Sequence, residues 1–168
     1  TWVTPEHAGL GLYSSAHSVL GPATLDRKLT FPELPAHSPR GEDGRPAYWR
    51  TVAVQASPAG DAGVLVPERV IDLTDRLGDD GTLRWDAPVG DWTVRWFVFA
   101  NTGQRLIVPS PGSDGLQIDF FDADDSRAYF THVLGRLESA LGPLGDTSLR
   151  YLEVDSLELE GDRLGAWT

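Results

Sequence analysis

The sequence predicts an α/β fold in which an antiparallel β-rich region is joined to a strand–helix–strand (βαβ) unit. Short runs of β-forming residues, punctuated by Gly, Pro and Asp, recur at the spacing of about 8–12 residues expected of a small antiparallel sheet or sandwich. The aromatic-rich run Trp92–Ala100 is followed by a segment of helical periodicity and then by a second alternating run, Leu149–Asp155. Two carboxylates, Asp155 and Glu158, stand at the end of that run, on the side where barrels and open α/β sheets keep their chemistry. The division this implies is a short-helix segment over 1–19, an antiparallel β-rich region over 20–91, and the βαβ portion over 92–168.

Composition bounds the possibilities. At 168 residues, with 40% hydrophobic residues and six Trp, the chain is long enough to bury a core and too apolar for disorder. A net charge of −11 without any run of basic residues argues against nucleic-acid and anionic-membrane partners, which require clustered Lys and Arg. Cysteine is absent, which excludes disulfides and thiolate metal sites. No apolar run reaches the length of a membrane span, and the start does not resemble a signal segment. The missing Met and the abrupt Thr1 and Thr168 suggest a segment cut from a longer protein.

Taken in order, Thr4 suits a helix N-cap, Pro5 the first helical position and Glu6 the positive end of the dipole, and Gly9 and Gly11 keep that helix short. Leu12–Leu20 reads as a strand closed by Gly21-Pro22, and Thr24–Phe31 as another short one. Pro32–Pro46 is a loop by its prolines and glycines, and His37 within it has no second ligand at metal spacing. Tyr48–Ala56 is a strand with Trp49, Thr51 and Ala53 on one face and Tyr48, Val52 and Val54 on the other, which predicts burial on both. Val64–Val66 and Val70–Leu73 are short apolar runs. Asp79-Asp80-Gly81 reads as a turn rather than a calcium loop, because alternating ligands are missing; it leads into Thr82–Trp85. Ala87–Asp91 is a second turn, into Trp92–Ala100.

The connection from Asn101 to Gly115 is longer than a compact domain usually carries without function. Asp122 is a helix N-cap, with Asp124 and Asp125 in the favourable first turn. The helix runs to Leu141 with Phe130, Val133, Leu134 and Leu137 as its buried stripe and His132 beside it, and Gly142-Pro143 stops it. A strand, a helix and a second strand of this length form a right-handed unit with parallel strands. The Asn101–Gly115 loop and the Asp155–Glu158 turn then share one rim. On the residues alone, Asp155 and Glu158 are either a strand cap with a solvated loop glutamate or parts of a site, and Trp167 is either core or a platform.

A resemblance favours the site. Asp155-Ser-Leu-Glu158 with Ala166-Trp167-Thr168 resembles the Asp-Ser-aromatic-Glu … Asn-Trp-Thr segment of the glycoside hydrolase family 106 α-L-rhamnosidases. Trp2-Val-Thr-Pro-Glu-His-Ala8, Tyr48-Trp-Arg-Thr-Val-Ala-Val54, Val70–Thr74, Gly81–Pro88, Gly90–Val94, Gly115-Leu-Gln-Ile-Asp119 and Leu141-Gly-Pro-Leu144 resemble further blocks of that family in its order. No single block is specific; their order is.

The resemblance implies that the ends of the chain are parts of a (β/α) barrel, that 1–19 and 92–168 are its segments, and that the β-rich region is an insertion. It implies Glu158 as general acid of an inverting hydrolase, with Asp155, Asp119 and Trp167 as sugar-binding residues. It also implies a general base downstream of Thr168, a calcium ion at the sugar with ligands unassigned, and as partners a rhamnose-containing glycan and the rest of the parent chain. The Asn101–Gly115 loop becomes a sugar-facing loop. Gln117 replaces a family glutamate, Leu157 an aromatic, Arg105-Leu106 an Asn-His pair, and the link to Trp167 is long. These departures leave open a different glycoside or a pseudo-enzyme, and a second function class, a non-catalytic carbohydrate-binding or scaffolding β-domain.

Overall fold

The computed structural model describes residues 2–60, 66–106 and 109–153. Its centre is a four-stranded sheet in the order β1-β4-β2-β3, formed by β1 (Leu10–Lys28), β2 (Trp49–Pro58), β3 (Ile71–Asp72) and β4 (Thr82–Asn101), with every pairing between them antiparallel. Among the described residues there is one α-helix, α1 (Ala123–Leu141), and no helix long and apolar enough to cross a membrane.

Two bulges shape this sheet. Gly21-Pro22, joined by a cis peptide, lies opposite Ala87–Gly90, where β4 carries one extra residue. The pairs Thr24–Asp86 and Val19–Trp92 flank the irregularity, so the strands predicted at 12–20 and 24–31 are one strand, and those at 82–85 and 92–100 are another. The Gly and Pro residues that read as turns instead mark a bulge within a continuous ribbon. Gly21 is required there, because a Cβ would collide with the Pro88 carbonyl. The extra residue also exchanges the faces of β4: Leu83, Trp85 and Ala87 are buried before it, and Val94, Trp96 and Val98 after it.

The second bulge is at Val52, between the pairs Thr51–Val98 and Ala53–Phe97. It places Val54 and Ala56 on the core side together with Trp49 and Thr51, while Val52 is exposed. The prediction that apolar residues at Tyr48–Ala56 meant two buried faces is therefore corrected: one face is buried, and the bulge shifts the alternation by one. Trp96 Nε1 donates to Thr51 Oγ1 at 3.0 Å, so the indole N–H buried with that face is satisfied. Fully buried Val54, Leu83, Val94 and Val98 form the centre of the core, each contributing about 1.5–3 kcal/mol relative to exposure.

The two ends of the chain differ from expectation. Pro5–His7 is a single 3₁₀ turn, and the Thr4 side chain makes no capping bond. Helix α1 is as predicted: the Asp122 carboxylate accepts from the N–H groups of Asp124 and Asp125, and Gly142 ends it at φ +84°. Its expected buried stripe is uncovered, however. Phe130 and Leu134 are exposed, Val133 and Leu137 are half-buried, and Asp125 is the helix's buried residue.

The βαβ unit is not formed among the described residues. Over Trp92–Ala100, β4 is flanked by β1 on one side and β2 on the other, so this stretch has no free edge for a parallel partner. Residues 149–153 form no strand, and 154–155 lie outside the described residues. Arg150 bonds back to the Thr147 and Leu149 carbonyls, and Tyr151 is exposed. The suggested boundaries at 19/20 and 91/92 fall inside β1 and β4.

Candidate active-site rim

Where β4 ends, three stretches distant in sequence are tied together. Asn101, wholly buried, donates through Nδ2 to the Pro5 carbonyl at 2.7 Å and the Ala8 carbonyl at 3.3 Å. Thr102 N–H donates to the Gly9 carbonyl. The chain then turns at Gly103, whose φ is +78° and whose missing Cβ leaves room for the His37 carbonyl. This is a position only glycine fits.

Gly115–Asp119 returns through the gap between these stretches. Gln117 N–H donates to Gln104, its carbonyl accepts from Gly9 N–H, and Asp119 N–H donates to the His7 carbonyl. Ala8 bridges Ile118, and Arg105 bridges Leu116. Asp119 is thereby delivered, buried, to the start of α1. Its Oδ1 accepts from Phe121 N–H at 3.0 Å. Burial, against that bond and with the nearby Asp125 and Asp122 charges, pushes its carboxyl above the usual range.

One turn into α1, Asp125 Oδ1 lies 2.5 Å from His7 Nδ1, a carboxylate–imidazole pair that locks the N-terminal turn to the helix. Beside it, Trp2 stacks on His132 with centroids 4.8 Å apart and lies 6.2 Å from Tyr129. These aromatics and the loop residues from Pro109 to Gly115 line a cavity of about 800 Å³. The loop singled out by its length thus walls this cavity, and His132, expected at the core boundary, is instead an exposed part of its aromatic lining.

Of the site residues the sequence suggested, Asp119 belongs to this rim; Asp155, Glu158 and Trp167 lie outside the described residues. Asn101, His7 and Asp125, which tie this rim together, were not singled out in the sequence. Asn101 had no signal except its place at a strand end, and the His7–Asp125 contact spans most of the chain. Among the described residues no three acidic, His or Cys side chains converge as a metal site, so the calcium implied by resemblance has no ligand set among them. The rim supplies a buried carboxyl of raised proton affinity, a His–Asp pair and an aromatic wall. That combination suits binding of a polyhydroxylated ring.

Known proteins agree with this fold. Over 84% of its length the chain superimposes on a rhamnosidase from Novosphingobium sp. PP1Y with a TM-score of 0.57 at 15% identity, covering 28% of that chain. A curated protein of Formosa agariphila, provisionally named a β-glucuronidase, is 27% identical over 96 residues, which are 57% of this chain and 8% of that protein. The chain thus spans well under a third of either relative. Residues 44–168 match the sequence model of the α-L-rhamnosidases of glycoside hydrolase family 106, and the chain belongs to that family.

Proposed function

We propose that the intact protein hydrolyses rhamnose-containing glycans by inversion, and that this chain contributes its general acid, Glu158, and the sugar contacts Asp119, Asp155 and Trp167. The observation that carries this reading is Asp119, a buried carboxyl held where three separated stretches meet, between Ile118 and Phe120 of the aromatic-walled cavity. In this reading Asp119 receives hydrogen bonds from sugar hydroxyls, and the His7–Asp125 pair positions the N-terminal turn that supports it. The uncovered apolar face of α1 supports the further proposal that the chain from α1 onward joins a (β/α) barrel completed by the parent chain, since an amphipathic helix must bury its apolar stripe against another element.

Inversion requires an acid to protonate the leaving oxygen and a base about 6.5–9.5 Å away to activate water. The base is assigned to the remainder of the parent. A carboxyl acting as acid must keep its proton near neutral pH, and in this proposal the Asp155 charge close by in sequence holds the Glu158 proton on.

The test is a leaving-group series in the intact protein. Glu158→Gln is expected to reduce hydrolysis of unactivated rhamnosides by about 10²–10⁴-fold, while largely sparing aryl rhamnosides whose leaving groups need no proton. Equal losses on both substrate types would remove Glu158 from the acid role.

A further inference from the structure

A second cavity lies on the β-rich part of the molecule, built from elements that the rim does not use. Its floor is Phe31, Trp49 and Trp96, with centroids 4.9–6.1 Å apart and all three pairs edge-on. Trp96 is buried beneath the other two, whereas Phe31 and Trp49 are half-buried and keep part of their surface open. About 300 Å³ of space opens above them, and an adjoining cavity of about 320 Å³ shares Trp49 and Trp96. This is the size range of small-molecule sites.

The lining carries charges of both signs. Arg40 and Arg45 are carried by one segment of the lining, two of the fourteen basic residues in a chain of net charge −11. Arg40 and Arg45 are set side by side by a tight hairpin in which residue 40 bridges Pro46, Gly41 N–H donates to the Arg45 carbonyl, and Gly44 turns at φ +76°. Another segment is the Asp79-Asp80-Gly81 turn, with Lys28 beside it through the Lys28–Thr82 pair of the sheet. Asp80 accepts from Thr82 N–H at 3.0 Å and Thr82 Oγ1 at 2.8 Å, bonds that hold its carboxyl below the usual range and fix its direction. No ion pair joins the two segments among the described residues: Arg45 pairs only with exposed Asp43, at 3.7 Å.

We propose that this cleft is a binding site for an acidic sugar residue, a pyranose bearing a carboxylate or sulfate, separate from the hydrolytic rim. The C–H face of the ring packs on Trp49, its hydroxyls donate to Asp79 and Asp80, and its anionic group is taken by Arg40 and Arg45, whose planar guanidinium groups bind such oxygens in pairs. A lining that carries both guanidinium groups and carboxylates suits a ligand with both an anionic group and hydroxyl donors. The sugar class rests on the glycan reading of the family; the demand for an acidic group rests on the cleft alone.

The experiment is titration of the 168-residue chain, observed through its tryptophan indole N–H resonances, with Trp49→Phe identifying the Trp49 signal. Glucuronate and glucose 6-sulfate are expected to shift that signal saturably, with dissociation constants on the order of 1 mM, and their relative affinities distinguish carboxylate from sulfate recognition. Glucose and rhamnose are expected to bind at least about tenfold more weakly, and Arg40→Gln/Arg45→Gln, both exposed positions, to remove the acidic preference with the circular dichroism unchanged. No saturable shift, equal response to neutral sugars, or an acidic preference that survives in the double variant would overturn the proposal. Rhamnoside hydrolysis by the intact protein is a separate readout, so failure of one reading is not failure of the other.

Discussion

Asp119 combines what a folded protein avoids with what a binding site needs. A buried carboxylate opposed by Asp125 and Asp122 is costly to ionise. Because its folded pKa lies above the unfolded value of 3.8, the unfolded chain releases this proton first, and stability falls as pH rises through that interval and stays lower above it. Asp119→Asn keeps the bond from Phe121 N–H and removes the charge. It is therefore expected to raise the thermal midpoint at about pH 7 and to have little effect near pH 3, where both states hold the proton. Equal shifts at both pH values would show that charge is not the cause. In the intact protein the same change is expected to weaken substrate binding, the usual exchange of stability against function. Asp119 could be singled out in the sequence because it ends a short block of family-like sequence. His7, Asn101 and Asp125 were not, since their roles exist only once the N-terminal turn, the end of β4 and the start of α1 meet.

Secondary-structure elements were legible wherever the chemistry that sets them is local. Asp122 at the start of α1 and Gly142 at its end do within a few residues what their sequence neighbours announce. Pairing was not legible. Gly21-Pro22 and Pro88-Val-Gly90 each read as a turn alone, and become a bulge only by facing each other across the sheet. Val52 makes the point testable. Its exposed side chain contributes little, so Val52→Ala is expected to cost under about 0.5 kcal/mol. Deleting Val52 removes the extra residue that keeps Trp49 and Thr51 on the core face, turns them outward, and breaks the Trp96–Thr51 bond. Denaturant unfolding should show a loss several times larger for the deletion, together with altered near-ultraviolet dichroism; similar behaviour of the two variants would show that the bulge does not set the register.

At the scale of the molecule, the sheet has its own core and α1 does not share it. The central strands bury Val54, Val94 and Val98 completely, whereas Phe130, Leu134 and Leu141 of the helix face outward. The amides of β4 are therefore expected to exchange with solvent only on global opening, and those of α1 far sooner, as hydrogen-exchange mass spectrometry of the 168-residue chain would register. Equal protection would mean that the helix is held by more than the contacts described. The same chain is expected to leave aryl α-L-rhamnosides unhydrolysed, because the proposed acid acts here without its base. The βαβ unit was misread for a reason visible at this scale: a strand's length and apolarity say nothing about whether its two edges are already taken, and both edges of β4 are over Trp92–Ala100.

The order of the sheet leaves β1 at its margin, a 19-residue strand with one side unpaired among the described residues. A long open margin of backbone donors and acceptors is a template on which other chains polymerise. β1 carries safeguards against this: Pro22 has no N–H to offer at mid-length, the bulge beside it interrupts regular pairing, and its last three residues, Asp26, Arg27 and Lys28, are exposed charges. At the opposite margin β3 is only two residues long, too short to seed a cross-β stack. The irregularity that splits both long strands in the sequence is thus also what discourages fibril growth from the folded sheet.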